Sequence, residues 1–244
     1  MIKNNVFECF PKKRTVLPLE YQKIYEKHYS DNRNGQTKMS SLSQKMESWL
    51  HKCIAKSSAP DKRTLEIGAG TLNQLKYEKP AVYDIIEPFK PLYKQSPELD
   101  RINKVYNDIS DICEEHKYER IISCASFEHI INLPEVVARS CLLLSDNPKN
   151  ACLYVSIPNE GRFLWKLGYK LSTGLEFKKN YNLKYEVIMN HEHVNTADEI
   201  ENILKYFYKK IKIKLLGINK TFSLYRFYEC KEPCSRKAKE YLSI

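Results

Sequence analysis

From Arg63 onward the chain alternates short apolar runs with helical segments. Five runs have the composition of strands: TLEIG (64–68), VYDIIE (82–87), INKVY (102–106), RIISCA (120–125) and ACLYVSI (151–157). Several are continuously apolar, as expected for strands covered on both faces of a parallel sheet. Between the last two, LPEVVARSCLLL carries Pro134 where a helix would open. Strands alternating with helices imply right-handed crossovers and a doubly wound α/β sheet.

The segments on either side follow other patterns. In the first sixty residues, YQKIYEKHY (21–29) and LSQKMESWLHKCIAK (42–56) space apolar residues by three and four, which predicts two amphipathic helices. The stretch between them is rich in turn formers. From about 161 to 195 an aromatic and basic insertion interrupts the alternation. After it, Thr196-Ala-Asp-Glu199 has the form of a capping box and predicts a helix over ADEIENILKYFYKK (197–210). IKIKLLGI (211–218) and FSLYRFYEC (222–230) then follow so closely that only an antiparallel pair can join them. The expectation is a mostly parallel, seven-stranded sheet ending in an antiparallel hairpin. A helical segment over 1–60 precedes an α/β domain over 61–244. No Gly/Ser linker or internal repeat divides the chain.

Composition narrows the class. With 244 residues and 42% apolar side chains the chain can bury one sizeable core. No run approaches the ~18–20 apolar residues of a membrane span, and MIKNNVFECFPKKR lacks the apolar segment of an export signal, so a soluble, cytoplasmic protein is expected. Eight cysteines without a CxxC pair then point to reduced thiols, not structural zinc. The net charge of +10 is unevenly placed: residues 61–160 hold 12 Lys+Arg and 16 Asp+Glu, giving −4, while the remainder hold 28 and 14, giving +14. Basic flanks of this kind suit an anionic partner.

Candidate chemistry gathers at the ends of the predicted strands, where doubly wound sheets bind ligands. Gly68-Ala69-Gly70 closes the first strand, and glycines there let backbone approach a ligand. A dinucleotide fingerprint needs a third glycine where Asn73 stands. Glu66 suits a ligand's ammonium better than a phosphate. Glu87, followed by Pro88, ends the second strand 21 residues later and can accept both hydroxyls of a ribose. Asp108 and Ile109, past the third strand, offer a carboxylate for an exocyclic amine and an apolar face for a purine.

With these residues the chain resembles the class I S-adenosylmethionine-dependent methyltransferases. LEIGAG matches the family's first motif, Glu87 its ribose-binding acid and Asp108 its adenine-binding acid. The run Ile121-Ile-Ser-Cys-Ala-Ser-Phe-Glu128-His129 is similar to its fourth-strand motif, and Leu72 departs where many members have a third glycine. The resemblance spans about residues 61–230. It implies a Rossmann-like fold, S-adenosyl-L-methionine as cofactor, and Glu66, Gly68, Ala69, Gly70, Glu87, Pro88, Asp108, Ile109, Ser123 and Cys124 as its binding residues. It also implies that 1–60 forms a lid and 161–195 a substrate-binding insertion.

More loosely, Pro158-Asn159, the insertion and His191-Glu-His-Val-Asn195 resemble bacterial methyltransferases of sugars and surface-polysaccharide precursors. Removing a hydroxyl proton calls for a base, and His191, His193 and His129 are the candidates, with one of the first pair as base and His129 positioning. On an extended segment His191 and His193 would face the same way. Glu128, Trp165, Tyr169 and Tyr181 are the expected substrate contacts. A metal held by Glu128, His129 and His191 or His193 is the minor alternative, and none is expected. The anticipated partner is a small, phosphate-bearing molecule. RNA methylation through the basic flanks, and a binding module that retains the cofactor site without turnover, are the competing expectations.

Overall fold

The computed structural model describes residues 7–25, 41–79, 82–147, 151–171 and 173–243. Its centre is a seven-stranded sheet of β1 (Arg63–Ile67), β2 (Val82–Ile86), β3 (Lys104–Tyr106), β4 (Arg120–Cys124), β5 (Cys152–Pro158), β6 (Tyr208–Gly217) and β7 (Ser223–Pro233). Spatial order is β3-β2-β1-β4-β5-β7-β6. The first five strands pair in parallel, and β7 runs antiparallel to both β5 and β6. Strand order reverses between β1 and β4, which makes their carboxyl ends the place for a ligand.

Side chains along the strands alternate between two cores, as a pleated strand covered on both faces requires. Leu65, Ile121, Leu153, Val155 and Ile157 face one core with residues of α2 (Leu133–Leu143), α6 (Ala197–Phe207) and α7 (Ser235–Leu242). Tyr83, Ile85, Ile122 and Tyr154 face the other, with Cys53 and Ile54 of α1 (Ser41–Ala55). In α6 the buried Ile200, Ile203, Leu204 and Phe207 form one stripe at helical spacing, each burial contributing roughly 1.5–3 kcal/mol. The capping box forms: Thr196 Oγ1 accepts from the Glu199 amide, and the Glu199 carboxylate accepts from the Thr196 amide.

Two features depart from the pattern-based expectation, and a third concerns the insertion, to which the pattern assigns no elements. No α-helix occurs among the described residues from 63 to 126; the three connections between β1 and β4 carry only 3₁₀ turns at Asn73–Tyr77, Lys90–Leu92, Leu99–Arg101 and Ile109–Asp111. Segments so rich in Pro, Asn, Ser and Asp offer backbone groups local alternatives to a helical ladder. The predicted helix through Lys210 stops at Phe207, because Tyr208 already pairs with Pro233 and the Phe207 carbonyl accepts from the Cys234 amide. The insertion is three short helices: α3 (Phe163–Leu171), α4 (Thr173–Tyr181) and α5 (Tyr185–Glu192).

Residues 19–25 are helical, and the rest of the expected helix and turn-rich stretch, 26–40, lies outside the described residues. Leu17 and Tyr21 pack with Phe177 and Ile188, so the N-terminal segment rests on the insertion. Helix α1 lies against the sheet, anchored by Arg120. That guanidinium is fully buried, paired through both terminal nitrogens with Glu78 at 2.8 and 2.9 Å, and donates to Ser57 Oγ and the Ile54 carbonyl. No helix among the described residues is long and apolar enough to cross a membrane.

Candidate functional site

At the end of β1 the chain turns sharply, with Gly68 at φ +70° and Gly70 at φ +52°. A Cβ on Gly68 would stand 2.1 Å from Ser126 Oγ, so this position needs both the backbone freedom and the missing side chain. A Cβ on Gly70 would meet nothing within 4 Å, which marks open space over the loop. Leu72 adopts the same left-handed conformation, φ 64°, at a cost of roughly 1–2 kcal/mol. Its fully buried side chain offsets that cost, so the bend survives without the third glycine.

Glu87 bridges the loops after β1 and β2. Its carboxylate accepts from the Gly70 amide at 2.9 Å through one oxygen and from the Phe89 amide at 3.0 Å through the other. Each oxygen keeps a lone pair for a further donor. Pro88, between them, is exposed. Past β3, Asp108 caps the turn Ile109–Asp111, accepting from the Ser110 amide at 2.8 Å, while Ile109 is buried beneath it. At the end of β4, Ser123 Oγ is buried without a hydrogen-bond partner among the described residues. Cys124 Sγ lies 3.4 Å from His51 Nδ1 and accepts from Ser156 Oγ at 3.4 Å. Glu66 is turned inward: burial pushes its carboxyl up to about 8, only partly opposed by the hydrogen bond from Tyr83 and by the charges of His51 and Arg120. Ala69 is buried in the wall of the same loop.

A second group stands past β4 and β5. The rings of His129 and His193 meet edge to face with centroids 4.8 Å apart. His193 Nδ1 lies 2.8 Å from Glu160 Oε2, and the Trp165 indole donates to the same oxygen at 2.5 Å. His129 Nδ1 lies 3.0 Å from the Glu192 carbonyl. Both partners are acceptors only, so both imidazoles carry the Nδ1 proton and leave Nε2 for chemistry. Burial alone would raise Glu160, but the hydrogen bond and charge of His193, with Trp165 and the Gly161 amide, hold it below the usual carboxylate range. Glu128, beside His129, is buried; burial pushes it up to about 7, and its Oε2 has no hydrogen-bond partner among the described residues.

The backbone joins these parts. The amides of Val194 and Asn195 both donate to the Glu128 carbonyl, and the Asn195 side chain donates to the carbonyls of Phe127 and Ile130. His191 does not join the pair. It belongs to the last turn of α5, with its Nδ1 2.6 Å from the Thr15 carbonyl, and lines a cavity with Arg14, Leu17 and Tyr25. The two histidines diverge because the helix ends between them, where an extended segment would have set them side by side. Tyr181 is packed on Phe177, ring centroids 4.9 Å apart. Trp165 lies edge-on to Tyr225, and the side chain of Tyr169 lies outside the described residues. Asn159 is a structural clamp: fully buried, it donates to Lys220 and Ser223 and accepts from Arg226.

Sequence patterns missed Glu160, Ser126 and Arg14. Glu160 had a usable signal, standing just past the carboxyl end of a parallel strand. Arg14 had none. It donates to the carbonyls of His129, His191 and Glu192 from more than a hundred residues away.

No family model and no curated protein matches the chain. Solved structures do. The N-methyltransferase NodS of Bradyrhizobium japonicum, in complex with S-adenosyl-L-homocysteine, aligns over 89% of this chain and 100% of its own, with TM-score 0.57 and 11% identity. The plantazolicin methyltransferase BpumL, in complex with a monoazolic desmethylPZN analogue and S-adenosyl-L-homocysteine, aligns over 87% and 92%, with TM-score 0.55 and 15% identity. A SAM-dependent methyltransferase of Thermotoga maritima aligns over 78% and 96%, with TM-score 0.52 and 13% identity. The chain therefore has the fold of the class I S-adenosylmethionine-dependent methyltransferases.

Proposed function

We propose that the chain is an S-adenosylmethionine-dependent methyltransferase of small molecules, with a hydroxyl of a sugar, nucleotide-linked sugar or surface-polysaccharide precursor as acceptor. The observation that carries the cofactor assignment is the Glu87 carboxylate fixed between Gly70 and Phe89 beside open space over the glycine loop. Its remaining lone pairs suit the two hydroxyls of a ribose. Asp108 and Ile109, past β3, suit an adenine's exocyclic amine and face, and the orphaned Ser123 hydroxyl supplies a polar group at the strand end that divides the two halves. The residues present fit such a group. When bound, S-adenosylmethionine supplies a methyl already activated on a sulfonium, so the protein's work is alignment, exclusion of water and removal of the acceptor's proton. The Glu128, His129 and His193 cluster past β4 is where that proton leaves.

The methyltransferases of similar fold act on different acceptors, so the hydroxyl rests on the cluster itself, whose imidazoles can take the proton that an alcohol gives up as it attacks the methyl. A phosphate-bearing acceptor fits the +14 of the segments outside 61–160. Part of that charge has another use: Lys209, Lys210, Lys212 and Lys214 stand exposed on the edge strand β6, where charge blocks strand addition. This weakens the case for nucleic acid. Calorimetry should show S-adenosylhomocysteine binding that is lost in Glu87→Ala; no binding to the wild-type chain would overturn the assignment. Methyl-labelled cofactor with fractionated extract should place label in nucleotide sugars or glycans. Label in RNA would overturn the acceptor.

A further inference from the structure

We propose that Glu128, His129 and His193 form a site for one divalent transition-metal ion, on the acceptor side of the cleft. One ligand atom from each of the three lies within 4.8 Å of the others. Glu128 Oε1 and His129 Nε2 are 3.9 Å apart. Donors bonded to one ion at about 2.0–2.2 Å lie roughly 3–3.5 Å from one another, so closure needs only small side-chain rotations.

Three observations distinguish this cluster from a chance meeting of polar groups. The first is the outer hydrogen bonding. Metal-bound histidines nearly always donate their other ring nitrogen to a carboxylate or a carbonyl, which fixes the tautomer and aims the lone pair. Here Nδ1 of His193 is held by Glu160 and Nδ1 of His129 by the Glu192 carbonyl, so each Nε2 remains as the donor atom. Glu160 is in turn held by Trp165.

The second is Glu128. Its side chain is only 2% exposed, yet Oε2 has no hydrogen-bond partner among the described residues. A buried carboxylate oxygen left unpaired is costly, and a cation is among the few things that compensate it. The third is rigidity. The double amide clip on the Glu128 carbonyl and the Asn195 bridge between Phe127 and Ile130 hold the two segments in register.

Two imidazoles and one carboxylate are the donor set of manganese, iron, cobalt, nickel and zinc, not of magnesium or calcium. Three protein ligands leave at least one position open, and a hydroxyl placed there loses its proton more readily. The inference deepens the methyltransferase assignment and rests on it for the role of the ion, but not for its binding.

The test uses the full chain stripped with a chelator and titrated with Co²⁺, followed by visible absorption, with S-adenosylhomocysteine calorimetry on the same samples. We expect one Co²⁺ per chain, displaced by Zn²⁺, with affinity lowered at least tenfold in Glu160→Gln and lost in His193→Ala and Glu128→Gln. His116→Ala, in the β3–β4 connection, should bind as the wild type does. Circular dichroism identifies any variant that fails to fold, and Glu160→Gln, which removes no ligand, remains decisive in that event. No cobalt spectrum from folded wild-type protein, or one unchanged in His193→Ala, overturns the metal site. If S-adenosylhomocysteine still binds, the methyltransferase assignment stands without it. Cobalt binding without S-adenosylhomocysteine binding would overturn the methyltransferase assignment and leave the metal site intact.

Discussion

His193 donates from Nδ1 to the Glu160 carboxylate at 2.8 Å, with the imidazole 12% and the carboxylate 15% exposed. The partner fixes which nitrogen of His193 carries the proton and which keeps its lone pair. Glu160→Gln keeps the shape and removes the charge, so turnover should fall roughly 10- to 100-fold. Binding of S-adenosylhomocysteine, which does not depend on this pair, should stay within about twofold. Equal losses in both, measured by steady-state kinetics and calorimetry, would show that Glu160 acts through the fold alone.

The two glycines of the β1 loop should behave differently. Gly68→Ala drives a Cβ into Ser126, 2.1 Å from Oγ and 2.6 Å from Cβ, on top of the left-handed strain, and should lower the melting temperature markedly. Adding Ser126→Gly should recover the steric part and leave about 1–2 kcal/mol of backbone cost. Gly70→Ala has room for its methyl in the free protein, so it should fold with only that backbone cost and lose S-adenosylhomocysteine affinity, because the methyl projects into the open space.

Arg120 and Glu78 are both buried, with side-chain exposures of 1% and 0%. Replacing Arg120 by Met leaves an uncompensated buried carboxylate and frees the last turn of α1, a loss of about 3–5 kcal/mol. In a chain of this size that lowers the thermal midpoint by roughly 6–20 °C. A smaller loss in Arg120→Met combined with Glu78→Met than in Arg120→Met alone would confirm that the stranded charge dominates.

Glu66 and Glu128 make stability depend on pH. Burial raises both in the folded chain, to about 8 and about 7, from an ordinary value of 4.5. The folded state therefore holds protons that the unfolded state releases, and stability falls as pH rises between about 4.5 and 8. The stabilising difference is complete below the unfolded value and gone above the folded one. Urea midpoints of the ligand-free protein should decline over that range. Glu66→Gln, which retains an acceptor for Tyr83, should flatten the decline; an unchanged slope would place the titrating group elsewhere.

Legibility in the sequence tracked distance along the chain. The positions of β1 to β5 were readable to within one or two residues, and those of β6 and β7 to within three, because alternation and apolar runs are local, and so was the Thr196–Glu199 cap. Glu66 was placed at the right strand end, but its inward turn was not readable, since it depends on Tyr83 of the neighbouring strand. The 3₁₀ connections were mistaken for helices because a short polar segment carries little periodicity of either kind.

By itself the sequence determined the doubly wound sheet, its antiparallel end, and the alignment of Gly68, Gly70, Glu87 and Asp108 at successive strand ends. Those follow from residue periods of two and 3.6 and from the fact that parallel strands all present their carboxyl ends on one side. Only the tertiary structure decided that His193 and not His191 meets His129, and that Glu160 holds it. Those contacts span 64 and 33 residues. They are fixed by where α5 ends, by Asn195 clipping two loops together, and by the sheet order that sets β4 beside β5. No local pattern encodes such a meeting, because its energy comes from groups that become neighbours only after the sheet has formed.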